Sequence, residues 1–188
     1  MQDTAWPGYE EIPGWIVEGY ATLCAEIDEQ LAGTGPDLVC VPVGVARSPR
    51  PSSPTTTAAP PDGPPPLLSV EPETAACVLA SLAAGTPVSV TTGDTVMAGL
   101  NCGTPSSLAW PYLYGGLDAA VAVPDAASVR AAADLAGLGV SSGPCGAAPL
   151  AGLRTVLTGA GAEERRRALG LDAASVVVLL STEGAPAC

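Results

Sequence analysis

The chain has 188 residues, is 47% hydrophobic and carries a formal net charge of −12. That length suits one ordinary domain with enough apolar material for a core, and the negative charge excludes a phosphate-backbone binder, so no nucleic acid is expected as a partner. No apolar run reaches the ~18–20 residues of a membrane span and no basic stretch leads an apolar one at the N-terminus, so no membrane partner is expected and a cytoplasmic location is.

Residues 8–32, "GYEEIPGWIVEGYATLCAEIDEQLA", place Ile12, Ile16, Tyr20, Leu23, Ile27 and Leu31 at three- and four-residue steps, which predicts a helix stopped by Gly33 and Gly35-Pro36. "DLVCVPVG" is a short continuous apolar run, as in a strand buried on both faces, and "LLSVEP" is another. Residues 73–84 read as a helix ending at Gly85, and "SVTT" as a short strand. Residues 105–115 read as a helix with Pro near its start. "AAVAVP" reads as a strand, after which Asp125 is expected to cap the helix "AASVRAAADLAGLG". "SGPCGAAPLAGLRTVLTG" begins as a Gly-rich loop and turns helical, "EERRRALG" is a short amphipathic helix, and "SVVVLLST" reads as the strongest strand. Strands alternating with helices predict an α/β fold, a mostly parallel sheet with helices on both faces. Ligands of such sheets bind beyond the carboxyl ends of the strands, here "GVA", "VEPE", "VPD" and "STEG".

One segment breaks this order. Between "DLVCVPV" and "LLSV" lie eight prolines from Pro49 to Pro66, mixed with Ser, Thr and Gly. Proline removes donors and clashes with the preceding turn, so no crossover helix can form there. The composition predicts a disordered, partly polyproline run. Yet a parallel pair needs a crossover, usually helical, and so long a structureless loop is foreign to a compact domain.

The residue types available also limit the chemistry. The chain has no His and no Lys; its seven basic residues are all Arg. The commonest general base and metal ligand is thus missing. The six cysteines, Cys24, Cys40, Cys77, Cys102, Cys145 and Cys188, form no C-x-x-C pair, so no metal site is expected and buried free thiols are. Cys102 and Cys145 lie in Gly-rich loops without a base in sight to activate them.

Six stretches together carry a resemblance: "QDTAWPGYEEIPGWIVEGYATL", "PDLVCVPVGV", "SVEPETAACVLASL", "TGDTVMAGLNCGTPSSLAWPYL", "SGPCGAAPLAGL" and "VLLSTEG". The chain resembles the diaminopropionate ammonia-lyases, a family of fold-type II pyridoxal phosphate enzymes, over nearly all its length except residues 46–66. The resemblance implies a partial three-layer fold-type II architecture and pyridoxal 5'-phosphate as cofactor. It implies a small amino acid as substrate, and a homodimer or a separately encoded N-terminal half as protein partner. It also implies that residues 1–188 are a C-terminal portion, since the family's cofactor-bearing lysine lies in a preceding half. Such a chain is expected to be inactive by itself. A non-catalytic remnant, or a small module binding a phosphate ligand or a partner, is the alternative.

By the same resemblance, Asp3 of "QDTAW" is a base that takes the substrate's α-proton. Gly44 and Val45 begin the phosphate loop, where the family's "PVGVGSLAQAVV" continues with Gly and Ser but this chain has Ala46 and Arg47. Restoring one base before a GC-rich reading of "ARSPRPSSPTTTAAP" gives "GSLAQAVVAHYHRR", the family's loop and helix. Residues 46–66 are therefore expected to be a frame-shifted insertion replacing the phosphate-loop helix. Ser181 and Thr182 match the hydroxyls that meet the pyridine nitrogen. Asn101, Cys102 and Gly103, and the loop residues Ser142, Gly143 and Gly146, are expected to face the substrate pocket.

Overall fold

The computed structural model describes residues 22–23, 25–31, 35–44, 64–107 and 109–184. Of the helix expected over 8–32, residues 22–23 and 25–30 are helical (α1), with Leu31 N donating to the Ile27 carbonyl at 2.9 Å; residues 8–21, 24 and 32 lie outside the described residues. Four strands follow: β1 (Leu38–Pro42), β2 (Leu67–Pro72), β3 (Ala119–Val123) and β4 (Val177–Leu179). The helices are α2 (Cys77–Ala84), α3 (Trp110–Gly116), α4 (Asp125–Gly137), α5 (Pro144–Leu157) and α6 (Ala162–Ala168).

The sheet runs β3-β2-β1-β4 and every pairing is parallel. β1 and β2 pair directly, with Val39 opposite Leu67 and Pro42 opposite Val70. The expected pairing across the proline run therefore holds. Pro66, the last residue of that run, accepts from Val39 N at 3.0 Å and so already belongs to the ladder. Residues 45–63 lie outside the described residues.

The side-chain period of two sends alternate residues to opposite faces. Leu38, Cys40, Leu68 and Val70 join one core with Val123 of β3, Ala131 of α4 and Cys145, Ala147, Ala148, Ala151 and Val156 of α5. α5 lies close because its residues are small. A Cβ on Gly152 would strike the Val70 and Val121 side chains. On the other face, Val43 packs with Cys77 and Val78 of α2 and Leu113 of α3. Helices thus cover both faces, as an all-parallel sheet requires, and the fold is α/β.

Four expectations differ from the structure. The helix expected over 105–115 begins only at Trp110. "SVTT" is not a strand: Val90 N makes a single backbone bond, to the Gly103 carbonyl at 2.8 Å, and the stretch stays an exposed loop. β4 is only three residues long and half-buried. Its ladder is cut short where the Asp37 carboxylate takes the Val176 N–H at 2.6 Å, and it closes with Leu180 N on the Cys40 carbonyl. Asp125 does not cap α4, whose N-cap is Pro124. Its carboxylate instead holds the preceding loop, accepting from Thr95 Oγ1 at 2.5 Å and Val96 N at 2.9 Å.

Candidate functional site

Because all four strands are parallel, their carboxyl ends share one edge, and the residues just beyond them meet there. β1 ends at Gly44. A Cβ on this glycine would lie 2.5 Å from the Gly99 carbonyl oxygen and 3.0 Å from Leu100 Cα. Only glycine lets the end of β1 rest on the 98–100 turn so closely. The same turn abuts the start of α5: a Cβ on Gly99 would sit 3.4 Å from Cys145 Sγ.

β4 leads directly to the exposed Ser181, whose Oγ lies 3.1 Å from the buried Ser142 Oγ. Ser142 also donates to the Gly143 carbonyl at 3.3 Å. Two residues further, Glu183 takes up the start of α5. Its Oε2 accepts from Cys145 N at 2.8 Å, and its carbonyl accepts from Gly143 N at 3.0 Å. Gly143 and Gly146 leave the room this requires. A Cβ would fall 2.5 Å from Glu183 Oε2 at Gly143, and 2.5 Å from the Glu183 carbonyl at Gly146. Thr182 between them is exposed.

A second glutamate stands at the end of β2. Glu71 is only 1% exposed. Its two carboxylate oxygens accept from Val78 N and Leu79 N, each at 2.8 Å, at a helix start that has no cap of its own. Burial raises its pKa above the usual carboxylate value, and the two backbone donors oppose the rise. Cys77 beside it is raised too, first by its hydrogen bond with Cys102 and then by burial.

The structure divides the expected site residues into two groups. Ser142, Gly143, Gly146 and Ser181 gather around the start of α5, and Gly44 rests on the 98–100 turn. Asn101, Cys102 and Gly103 brace a loop instead: Asn101 Nδ2 donates to the Gly93 carbonyl at 3.1 Å, Cys102 Sγ to the Thr104 carbonyl at 3.1 Å, and Gly103 accepts from Val90 N. Asp3 and Val45 lie outside the described residues. The residue that sequence reasoning passed over is Glu183. Its signal is an acidic residue just past a strand end, in "STEG" as in "VEPE".

Among the described residues, Cys40, Cys77, Cys102 and Cys145 form no disulfide, and three of them are buried. Burial pushes the Cys40 thiol up to about 12, and it raises Cys145 as well. Neither is a ready nucleophile at neutral pH. Among the described residues no group of three or more His, Cys, Asp or Glu could hold a metal ion, and no helix is long and apolar enough to cross a membrane.

Comparison with known proteins agrees with this geometry. A family model described as pyridoxal-phosphate dependent enzyme matches residues 6–182. The diaminopropionate ammonia-lyase of Salmonella typhimurium is 34% identical over 197 residues, covering 98% of this chain and 48% of that protein. The biosynthetic L-threonine dehydratase of Mycobacterium leprae is 33% identical over 153 residues, covering 80% of this chain and 35% of that protein. Among solved structures, the Escherichia coli diaminopropionate ammonia-lyase in complex with D-serine superposes with a TM-score of 0.82 at 31% identity, covering 97% of this chain and 47% of that one. The chain spans about half the length of the diaminopropionate ammonia-lyases it matches.

Proposed function

The chain belongs to the pyridoxal-phosphate dependent enzymes, and on that premise we propose that its 188 residues form part of a diaminopropionate ammonia-lyase. The reaction is the α,β-elimination of 2,3-diaminopropionate, which with one water yields pyruvate and two ammonia. The observation that carries this reading is the similarity over 98% of the chain, at 34% identity, to a protein of that activity.

The described residues fit one end of the cofactor. Ser181 Oγ is exposed at the strand edge and backed by the buried Ser142 Oγ. A hydroxyl has one donor and two acceptor sites, so Ser181 retains capacity for a pyridine nitrogen, with Thr182 beside it. By sequence, Gly44 and Val45 match the start of the family's phosphate loop. Asp3 is the base that takes the proton from the substrate's α-carbon. Bound pyridoxal phosphate supplies an electron sink for the carbon that loses this proton. In this reading residues 46–66 stand where the family has its phosphate-loop helix, and a weaker hold on the phosphate group is expected because a proline-rich sequence supplies few N–H donors.

None of the 188 residues is Lys. The covalent hold on the cofactor must therefore come from a lysine outside these residues, in the same polypeptide or in another. The test is to titrate the purified chain with pyridoxal phosphate by absorbance and to assay pyruvate from 2,3-diaminopropionate. The assay is run with and without a lysine-bearing N-terminal segment of a relative. Turnover is expected only in the mixture; turnover by the chain alone overturns the reading. The absence of Lys also favours a second reading, a non-catalytic remnant of such an enzyme. A non-cooperative thermal melt is its expected signature.

A further inference from the structure

Ser181 stands on a short exposed segment beyond a strand of only three residues, and something must keep it in place. The hydrogen bonds described for residues 181–183 all run to residues 142–145. Ser181 Oγ meets Ser142 Oγ at 3.1 Å, the Glu183 carbonyl accepts from Gly143 N at 3.0 Å, and Glu183 Oε2 accepts from Cys145 N at 2.8 Å. The last of these is charge-assisted and lies at the N-terminus of a 14-residue helix that has no side-chain cap of its own. Contact is tight on the other side as well. A Cβ at Gly146 would come within 2.7 Å of both the Ser142 and Ser181 hydroxyl oxygens.

We propose that Glu183 is a positioning residue: it clamps the segment after β4 onto the start of α5 and so fixes the Ser181 hydroxyl for the cofactor's pyridine ring. The inference rests on the pyridoxal phosphate reading for its ligand, whereas the clamp itself rests on the geometry alone. The bonds of Glu183 run to the Gly143 and Cys145 backbone. It acts through Ser181, two residues away, in the way that outer partners orient an inner set of ligands. Glu183 is exposed, so removing its side chain opens no core cavity. The start of α5 loses its acceptor, and segment 181–184 loses its anchor.

The test compares the full chain with Glu183→Ala and Glu183→Gln by amide hydrogen exchange and by non-covalent pyridoxal phosphate binding, read through the absorbance of pyridoxal phosphate itself. In Glu183→Ala, exchange at the Gly143 and Cys145 amides is expected to rise about tenfold, the loss of one charge-assisted bond. The β1 and β2 amides are expected to keep their protection, and pyridoxal phosphate affinity to fall. In Glu183→Gln a side-chain oxygen remains to accept the Cys145 N–H, so both readouts are expected to return toward the parent. Unchanged local exchange in Glu183→Ala overturns the proposal, as does equal loosening of the whole sheet. A parent chain that binds no pyridoxal phosphate even when mixed with the lysine-bearing N-terminal segment overturns the cofactor reading instead, and the exchange pattern then still decides the clamp.

Discussion

Glu71 and Glu183 do the same local work in opposite surroundings. Glu71 is the penultimate residue of β2 and Glu183 lies four residues past β4, and each accepts backbone N–H at the start of a helix that lacks its own side-chain cap. Glu71 is 1% exposed and gives both oxygens to α2, seven and eight residues onward. Glu183 is exposed and reaches back 38 residues to α5. The buried carboxylate fixes a turn within one stretch of chain, whereas the exposed one joins two distant stretches. Burial makes the first costly to ionise and costlier to remove; water stands ready to replace the second.

Four measurements bear on this contrast. Glu71→Ala strands two N–H groups of α2 in the interior, for an expected loss of about 3 kcal/mol in denaturant unfolding. A loss as small as that of Glu183→Ala would break the distinction. Gly146→Ala drives a methyl group onto the Glu183 carbonyl and the paired serines, where backbone cannot give way. About 2 kcal/mol is expected from such overpacking, with faster exchange in 181–184. Glu183→Ala is expected to cost about 1 kcal/mol, the usual worth of a helix cap, because solvent can take over the exposed N–H. The smallest signal is a slope. Burial raises Glu71 above an unfolded carboxylate, so the folded state holds its proton longer. Stability from this group is then full below the ordinary Glu range and declines as pH rises through the raised value. Glu71→Gln is expected to flatten that decline in unfolding curves taken across pH 4–7.

Much of the frame was legible because continuous apolar runs leave few choices. "LVCVP" and "LLSVEP" can be satisfied only by burial on both faces, and both became central strands. Gly85 likewise marked a helix end, whereas the helix expected from residue 105 starts only at Trp110, with Pro111 in its first turn. "SVVVLLST" misled because apolar content says nothing about how many ladder bonds a neighbour can offer. Asp37 took one of them, and the strand stopped at three residues. Asp125 misled for a related reason: a cap motif is local, whereas its carboxylate found Thr95 and Val96 at sequence distances of about thirty. At the site, the close approach of Gly44 to Gly99 and of Gly146 to Glu183 depends on which strands are neighbours. Glu183 itself was hidden because its partners are 38 and 40 residues away and are backbone groups, which leave no trace in side-chain patterning. The family motifs drew attention to that loop without saying what holds it.

The strand order has a consequence for how the molecule is made. β1 lies between β2 and β4, and the Val176 N–H bonds Asp37 across 139 residues. On a ribosome β1 emerges well before β4, and among the described strands one of its edges meets no partner until β4 has followed. That apolar edge stays open until then, a template for unwanted pairing. The sheet can close only once translation has passed Leu179, so late closure and slow folding are built into the order of its strands.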